Sequence, residues 1–344
     1  MKDTIRIWQA GALVAVAALI AFGCAKKEEA PAETAAETAA EPFRVAVVAP
    51  SSTDDLAFTQ SLYDSLSQMQ EKRGGEEDFQ VAYSEGLYVI DDAAAAARDY
   101  ATEGFDLVIL HGSQYGSVIQ EVAPDFPDTS FAWGTEVETF KDEGIDNIFA
   151  YNSHSYEGAY VEGVMAAMLT ENDAVGIIGP IAAGDAKLFV EGFEKGVKET
   201  DPNVRVLKTY IGSFSDVSLA AGAANTHMDA GADVLTGHGQ MVVGAVGVAK
   251  ERGALWFGTQ CDQTSLAPDL VVASQVYDWT IALDPIVELI QEGTRGGEAY
   301  VLDVANGGLR IVYNEQYDLP DDVRAKAEAT IEGIINGTID ASIE

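Results

Sequence analysis

Residues 51–61 read SSTDDLAFTQS, follow the apolar run VAVVAP at 45–50, and open a helix-period pattern at Leu56, Leu62 and Leu66. A strand, a short polar turn and a helix form the usual cradle for phosphate, because a helix N-terminus offers free N–H groups and a partial positive charge. This turn has no glycine and carries two adjacent carboxylates, Asp54 and Asp55. An aspartate there caps the helix from within. It leaves no place for an anion and suits an uncharged or cationic ligand with N–H or O–H donors.

Other segments with chemical potential carry less. GPIAAGDAK at 179–187 starts like a P-loop, but Gly184 is followed by Asp185 and Ala186 where Lys and Ser or Thr would be needed to reach phosphates and Mg²⁺. His111, His154, His227 and His238 are scattered, with no partner at metal-ligand spacing. Cys261 lies beside Asp262, which would raise the thiol pKa, so a structural cysteine is expected. No cofactor, metal site or catalytic set is called for. Five aromatic rings do fall just past strand-like runs, beside Asp or Gly: Phe58, Trp133, Phe214, Tyr277 and Trp279. Taken singly, each suits a core. Together they suit a flat aromatic ligand, held by stacking while carboxylates select for donor groups.

The elements that must position these residues alternate regularly. Strand candidates lie at 43–50, 79–84, 106–110, 130–134 and 147–151, and a second series at 174–179, 204–211, 232–237, 254–259 and 271–276. Many are continuously apolar, as expected of parallel strands covered on both faces. Amphipathic segments between them, several ending in Gly or Asn, read as helices. This predicts an α/β protein of two doubly wound, Rossmann-like lobes, at 43–153 and 154–276. Residues 277–344 should complete both lobes with a helix at 279–292, a β-pair near 301–306 and 309–314, and a last helix at 321–335. Repeated crossings make a multi-strand hinge, and the site is expected in the cleft, at the carboxyl ends of the strands.

Residues 1–23 have a basic start and a 14-residue apolar run at 10–23, too short to span a bilayer and proportioned like a signal peptide. AFGC resembles a lipobox, which makes Cys24 the expected lipidation site. The Ala, Glu, Thr and Pro-rich stretch to residue 42 lacks large apolar side chains and reads as a disordered tether. These features predict an exported, membrane-anchored protein facing the periplasm or exterior. The 20 basic and 56 acidic residues give a net charge of −36. Such a charge repels nucleic acid and is mostly a solvated surface.

In order along residues 43–337, the segments SSTDDLAFTQS, FPDTSFAW, YEGAYVEGVMAAMLT, VGIIG, FVEGFEKGVK, YIGSFSD, GADVLTGHGQ, VAKERG, FGTQCDQ and ASQVYDW resemble the basic membrane protein family. Its best-understood members are lipoprotein purine nucleoside receptors of ABC importers. The resemblance implies a type I periplasmic-binding-protein fold and binding without catalysis. A purine nucleoside or nucleobase would be delivered to permease and ATPase subunits, with the receptor a monomer. It implies that Phe58 and Phe214 sandwich the base, that Asp262 holds ribose hydroxyls, and that Gly239 contributes backbone. Asp55 and the following Gln60 match the acidic turn at the cleft mouth, with Trp133, Tyr277 and Trp279 shaping the rest. The family's sugar-binding lysine is replaced by Tyr277, its base-reading aspartate by Thr135 and a pocket methionine by Ile181. The YDW and YNSHSYEGAY segments look more like a branch whose ligands are purine bases without ribose. A sensory module of the same fold, or a receptor for another neutral heteroaromatic solute, is the alternative.

Overall fold

The computed structural model describes residues 41–343; the leader, Cys24 and nearly all of the tether lie outside them. The strand runs are β1 (Phe43–Val48), β2 (Phe79–Ser84), β3 (Leu107–Leu110), β4 (Ser130–Gly134), β5 (Ile148–Ser153), β6 (Ala174–Gly179), β7 (Arg205–Tyr210), β8 (Val234–Gly237), β9 (Leu255–Gln260), β10 (Val271–Tyr277), β11 (Ala299–Leu302) and β12 (Leu309–Tyr313). They form two six-stranded sheets, ordered β11-β5-β4-β3-β1-β2 and β12-β10-β9-β8-β6-β7. All pairings are parallel except β10–β12. The two orders are the same pattern used twice.

Each sheet is covered on both faces, which is why β3 and β6 are buried along their whole length. In the first lobe α1 (Phe58–Lys72) and α8 (Thr280–Gln291) pack on one face, and α2 (Ile90–Thr102) with α3 (Gly116–Val122) on the other. In the second, α4 (Tyr156–Leu169), α5 (Gly184–Thr200) and α9 (Asp321–Ile335) cover one face, and α6 (Val217–Asp229) with α7 (Val242–Arg252) the other. Among the described residues no helix is long and apolar enough to cross a membrane.

One expectation is corrected. The runs near 301–306 and 309–314 do not pair with each other: β11 extends the first sheet beside β5, and β12 extends the second, antiparallel to β10. Each sheet has an open edge strand there, and filling both buries more backbone polar groups than a free-standing hairpin would. The chain therefore crosses between lobes three times, after β5, after β10 and between β11 and β12.

Helices α4 and α5 pack unusually closely because glycines line their contact. A Cβ on Gly192 would sit 2.5 Å from the Cα of Tyr156, and Cβ atoms on Gly163 and Gly196 would overlap the carbonyl oxygens of Phe193 and Tyr160. The YEGAYVEG and FVEGFEKG segments are thus the two halves of one helix crossing.

Helix α4 also buries Glu162 completely, and neither carboxylate oxygen has a partner among the described residues. Burial raises its carboxyl well above the ordinary value. The folded protein therefore holds Glu162 protonated where the unfolded chain would ionise it. Folding takes up a proton, and stability is lost as pH rises above the unfolded value. Glu162→Gln is expected to melt higher than wild type at pH 8, with the gap closing toward pH 4.5, the ordinary carboxyl value. Thermal melts at the two pH values check this; an equal gap at both would contradict it.

Candidate functional site

The loops after the first four strands of each sheet face one cavity of about 230 Å³. From the first lobe come Pro50 and Phe58 after β1, Tyr88 after β2, Gly112, Ser113 and Gln114 after β3, and Thr135 after β4. From the second come Ala183, Asp185 and Ala186 after β6, Phe214 after β7, His238, Gly239 and Gln240 after β8, and Gln260 at the end of β9. Strand order reverses between β1 and β3 and again between β6 and β8, so the cavity lies at the switch point of both sheets, where open α/β sheets hold ligands.

Phe58, Phe214 and Gly239, all expected at the site, line this cavity. Phe58 is braced from behind by His111, with ring centroids 3.8 Å apart and planes 9° from parallel. His111 is fully buried between the Tyr151 hydroxyl at 2.8 Å and the Phe58 carbonyl at 3.3 Å. Burial lowers its pKa to about 3, so it is a neutral support. Gly239 has φ of +95°, and a Cβ there would sit 3.6 Å from the Phe214 ring. Glycine lets the β8–α7 turn adopt a left-handed backbone beside that ring.

Asp55 and Gln60 serve the turn itself. The Asp55 carboxylate accepts from the backbone N–H groups of Ala57, Thr59 and Gln60 at 2.8, 3.1 and 3.1 Å, and from the Ser51 hydroxyl at 2.7 Å. Burial raises its pKa against the pull of these donors. Gln60 Oε1 accepts from the Leu56 N–H at 2.9 Å, holding a residue whose φ is +52°. Neither is among the residues lining the cavity. The acidic turn is a helix cap.

Three expected aromatics form a supporting layer. Trp133 is 8% exposed, stacks on Phe140 and donates its indole N–H to the Gly112 carbonyl at 3.1 Å, fixing the β3 loop from behind. Trp279 is fully buried at the hinge and donates to the Ser61 hydroxyl at 2.8 Å. Tyr277 donates to Asp185 at 3.2 Å. Asp262 stands apart: it is exposed, accepts from the Thr264 N–H at 2.9 Å, and borders a separate cavity of about 200 Å³ with Asp64 and Arg310. Cys261 is buried and its Sγ contacts the Ala57 carbonyl at 3.1 Å.

The polar centre of the cavity comes from residues that sequence spacing did not single out. Asp185 and His238 are buried together, with His238 Nε2 2.8 Å from Asp185 Oδ2. Ser153 from β5 donates to Asp185 Oδ1 at 2.6 Å. Burial alone would raise the Asp185 pKa, but His238, Ser153 and Ser155 together hold it below the ordinary value. Gln240 reaches across the cleft, its Nε2 donating to Ser51 at 2.9 Å. Three buried polar atoms of lining residues lack partners among the described residues: His238 Nδ1, Gln240 Oε1 and Gln260 Oε1. Thr135 and Gln260, at matching places in the two lobes, have φ of +63° and +70°. Left-handed backbone in a residue other than glycine costs about 1–2 kcal/mol and marks a place where the fold imposes a geometry. Among the described residues no Lys or Arg lines the cavity.

Two doubly wound lobes, three crossings and a polar, aromatic-walled cleft between them define a solute-binding protein of the type I periplasmic class. The chain belongs to the family of PnrA-like ABC transporter substrate-binding proteins, Bmp, whose model matches residues 43–342. It is a binding-protein family, not an enzyme class, and its members serve ABC transporters from outside the cytoplasm, presenting a solute to a permease. Among curated relatives, the purine-binding protein of Brucella abortus (strain 2308) is 29% identical over 248 residues, 72% of this chain and 69% of that protein. Basic membrane protein A of Borreliella afzelii is 25% identical over 303 residues, 85% and 89% of the two chains. A solved solute-binding protein of an ABC transporter system from Aeropyrum pernix K1 superposes with a TM-score of 0.72 at 22% identity, covering 87% of this chain and 93% of that one, and shares the fold.

Proposed function

We propose that the cleft binds a purine, a free nucleobase in preference to a nucleoside, and that the protein delivers it to an ABC permease while anchored through an acylated Cys24. The observation that carries this reading is one cavity lined by a ring from each lobe, Phe58 and Phe214, together with unpaired buried amide and imidazole atoms and no cation. Rings supply stacking, while the polar atoms ask for hydrogen bonds, and a heteroaromatic guest with donor groups provides both. A cavity of about 230 Å³ is smaller than the roughly 300–1,000 Å³ typical of drug-sized ligands. The carboxylate that would hold a ribose, Asp262, borders the other cavity. The name of the Brucella relative points to the same ligand class.

Closure of the lobes is the mechanism. Gln240 to Ser51, and Gln263 Nε2 to the Leu56 carbonyl at 3.1 Å, join the lobes across the cleft. A ligand touching both lobes adds to these bonds and shifts the population toward the closed state that the permease reads. Calorimetry across adenine, hypoxanthine, xanthine and their nucleosides tests this: the free bases should bind, and each more tightly than its nucleoside. Absence of heat and of a melting shift with every base refutes it. Asp262→Ala should leave base affinity within about twofold, since an exposed side chain outside the cavity contributes little.

A further inference from the structure

The unpaired atoms on the β8–α7 turn have fixed chemical roles. A carboxylate only accepts, so the nitrogen of His238 that faces Asp185 at 2.8 Å carries the proton, with the Gln260 amide, 3.3 Å from the same nitrogen, turning its oxygen toward it. In neutral imidazole the other nitrogen, Nδ1, is then an acceptor, and it is buried without a partner. Gln240 is fixed by a parallel argument. The Ser51 hydroxyl gives its proton to Asp55, so Ser51 accepts from Gln240 and the amide oxygen is left free. With His238 neutral, one turn of the second lobe therefore carries two buried acceptors that lack partners among the described residues, both on residues that line the cavity.

We propose that His238, held by Asp185 as the Nε2–H tautomer, is the specificity-determining residue of the cleft, and that with Gln240 it selects purines carrying unsubstituted N–H donors. The proposal rests on the purine reading above and deepens it. Asp185 acts as a positioning residue, itself oriented by Ser153 from β5 and Tyr277 from β10, two of the strands that lead into crossings between the lobes. A purine whose N–H groups are all alkylated keeps its rings for stacking but leaves both acceptors buried and unpaired, a cost charged against that ligand alone.

Asp185→Asn reverses the logic. The new amide donates toward Nε2, so neutral His238 moves its proton to Nδ1 and meets the ligand as a donor. Nitrogen-15 NMR of the ligand-free protein reads this directly: Nε2–H in wild type, Nδ1–H in Asp185→Asn. In binding, wild type should favour xanthine over caffeine, which has no N–H, by at least about 100-fold, and Asp185→Asn should cut that ratio at least about tenfold. Steric exclusion of the methyl groups would leave the ratio unchanged in the variant, and an unchanged ratio overturns the proposal. So does Nδ1–H in ligand-free wild type. If Asp185→Asn does not fold, two His238 variants decide. His238→Gln can still reach Asp185 but has nothing at the Nδ1 position and should lose about tenfold for xanthine. His238→Asn places an amide oxygen near that position and should keep more xanthine affinity than His238→Gln does; equal losses in both refute the acceptor role. A wild-type protein that binds no base at all refutes the purine reading and the selectivity together, while the tautomer spectra judge the Asp185 positioning separately.

Discussion

Phe214→Ala should lose purine affinity by about 30-fold, about 2 kcal/mol, while melting close to wild type. The ring lines the cavity from the β7–α6 loop, is half-buried, and belongs to none of the core clusters of its lobe. Its backbone carbonyl, which accepts from the Met241 N–H at 3.0 Å and ties the β7 loop to the β8 turn, survives the substitution. Truncation therefore removes a wall of the site and little else. Phe58→Ala would be a poorer test: Phe58 belongs to the first-lobe core and stacks on His111, so lost binding would be mixed with lost packing. Calorimetry with adenine and a thermal melt of ligand-free Phe214→Ala measure the two effects separately. Unchanged adenine binding would mean that this ring does not meet the ligand.

The second large effect concerns stability. Gly196→Ala should destabilise the protein by about 3 kcal/mol or more, because its methyl group meets the Tyr160 carbonyl oxygen in the neighbouring helix. A flexible side chain could swing aside from such a clash, but a helix backbone cannot. Relief requires α4 and α5 to separate, and both belong to one core with β6 and α9. Gly247 on α7 is the control, since a Cβ there meets nothing within 4 Å. Gly247→Ala should raise stability by up to about 1 kcal/mol, the ordinary gain of alanine over glycine in a helix. Denaturant titrations of both variants check the contrast, and equal stabilities would refute the close-packing argument.

The alternating pattern of apolar runs and amphipathic segments was enough to place the strands and most of the helices, because strand and helix periods are local properties of a chain. The same is true of the capping aspartate after β1, whose role depends on neighbours a few residues away, whereas the glycine after β8 was expected only from the family resemblance. The pairing of the last two strands was not local. A short connection suggests a hairpin, but each strand found an open sheet edge in a different lobe.

What the sequence by itself determined is the doubly wound architecture, the family, and the two phenylalanines and glycine that face the cleft. Tertiary structure alone decided which of the remaining polar and aromatic residues line the cleft. Trp133 and Trp279 lie behind the wall, and Tyr277 and Asp262 border another cavity, though all four stand at or just past a strand end, as Phe214 does. Asp185 sits in a segment that looks like a failed phosphate loop, and it acquires a role only because His238, 53 residues later, follows the neighbouring strand. Ser51 and Gln240 meet across 189 residues. Element type follows from the repeat of side chains along a few turns, whereas these meetings follow from strand order and lobe closure, which no short window of residues contains.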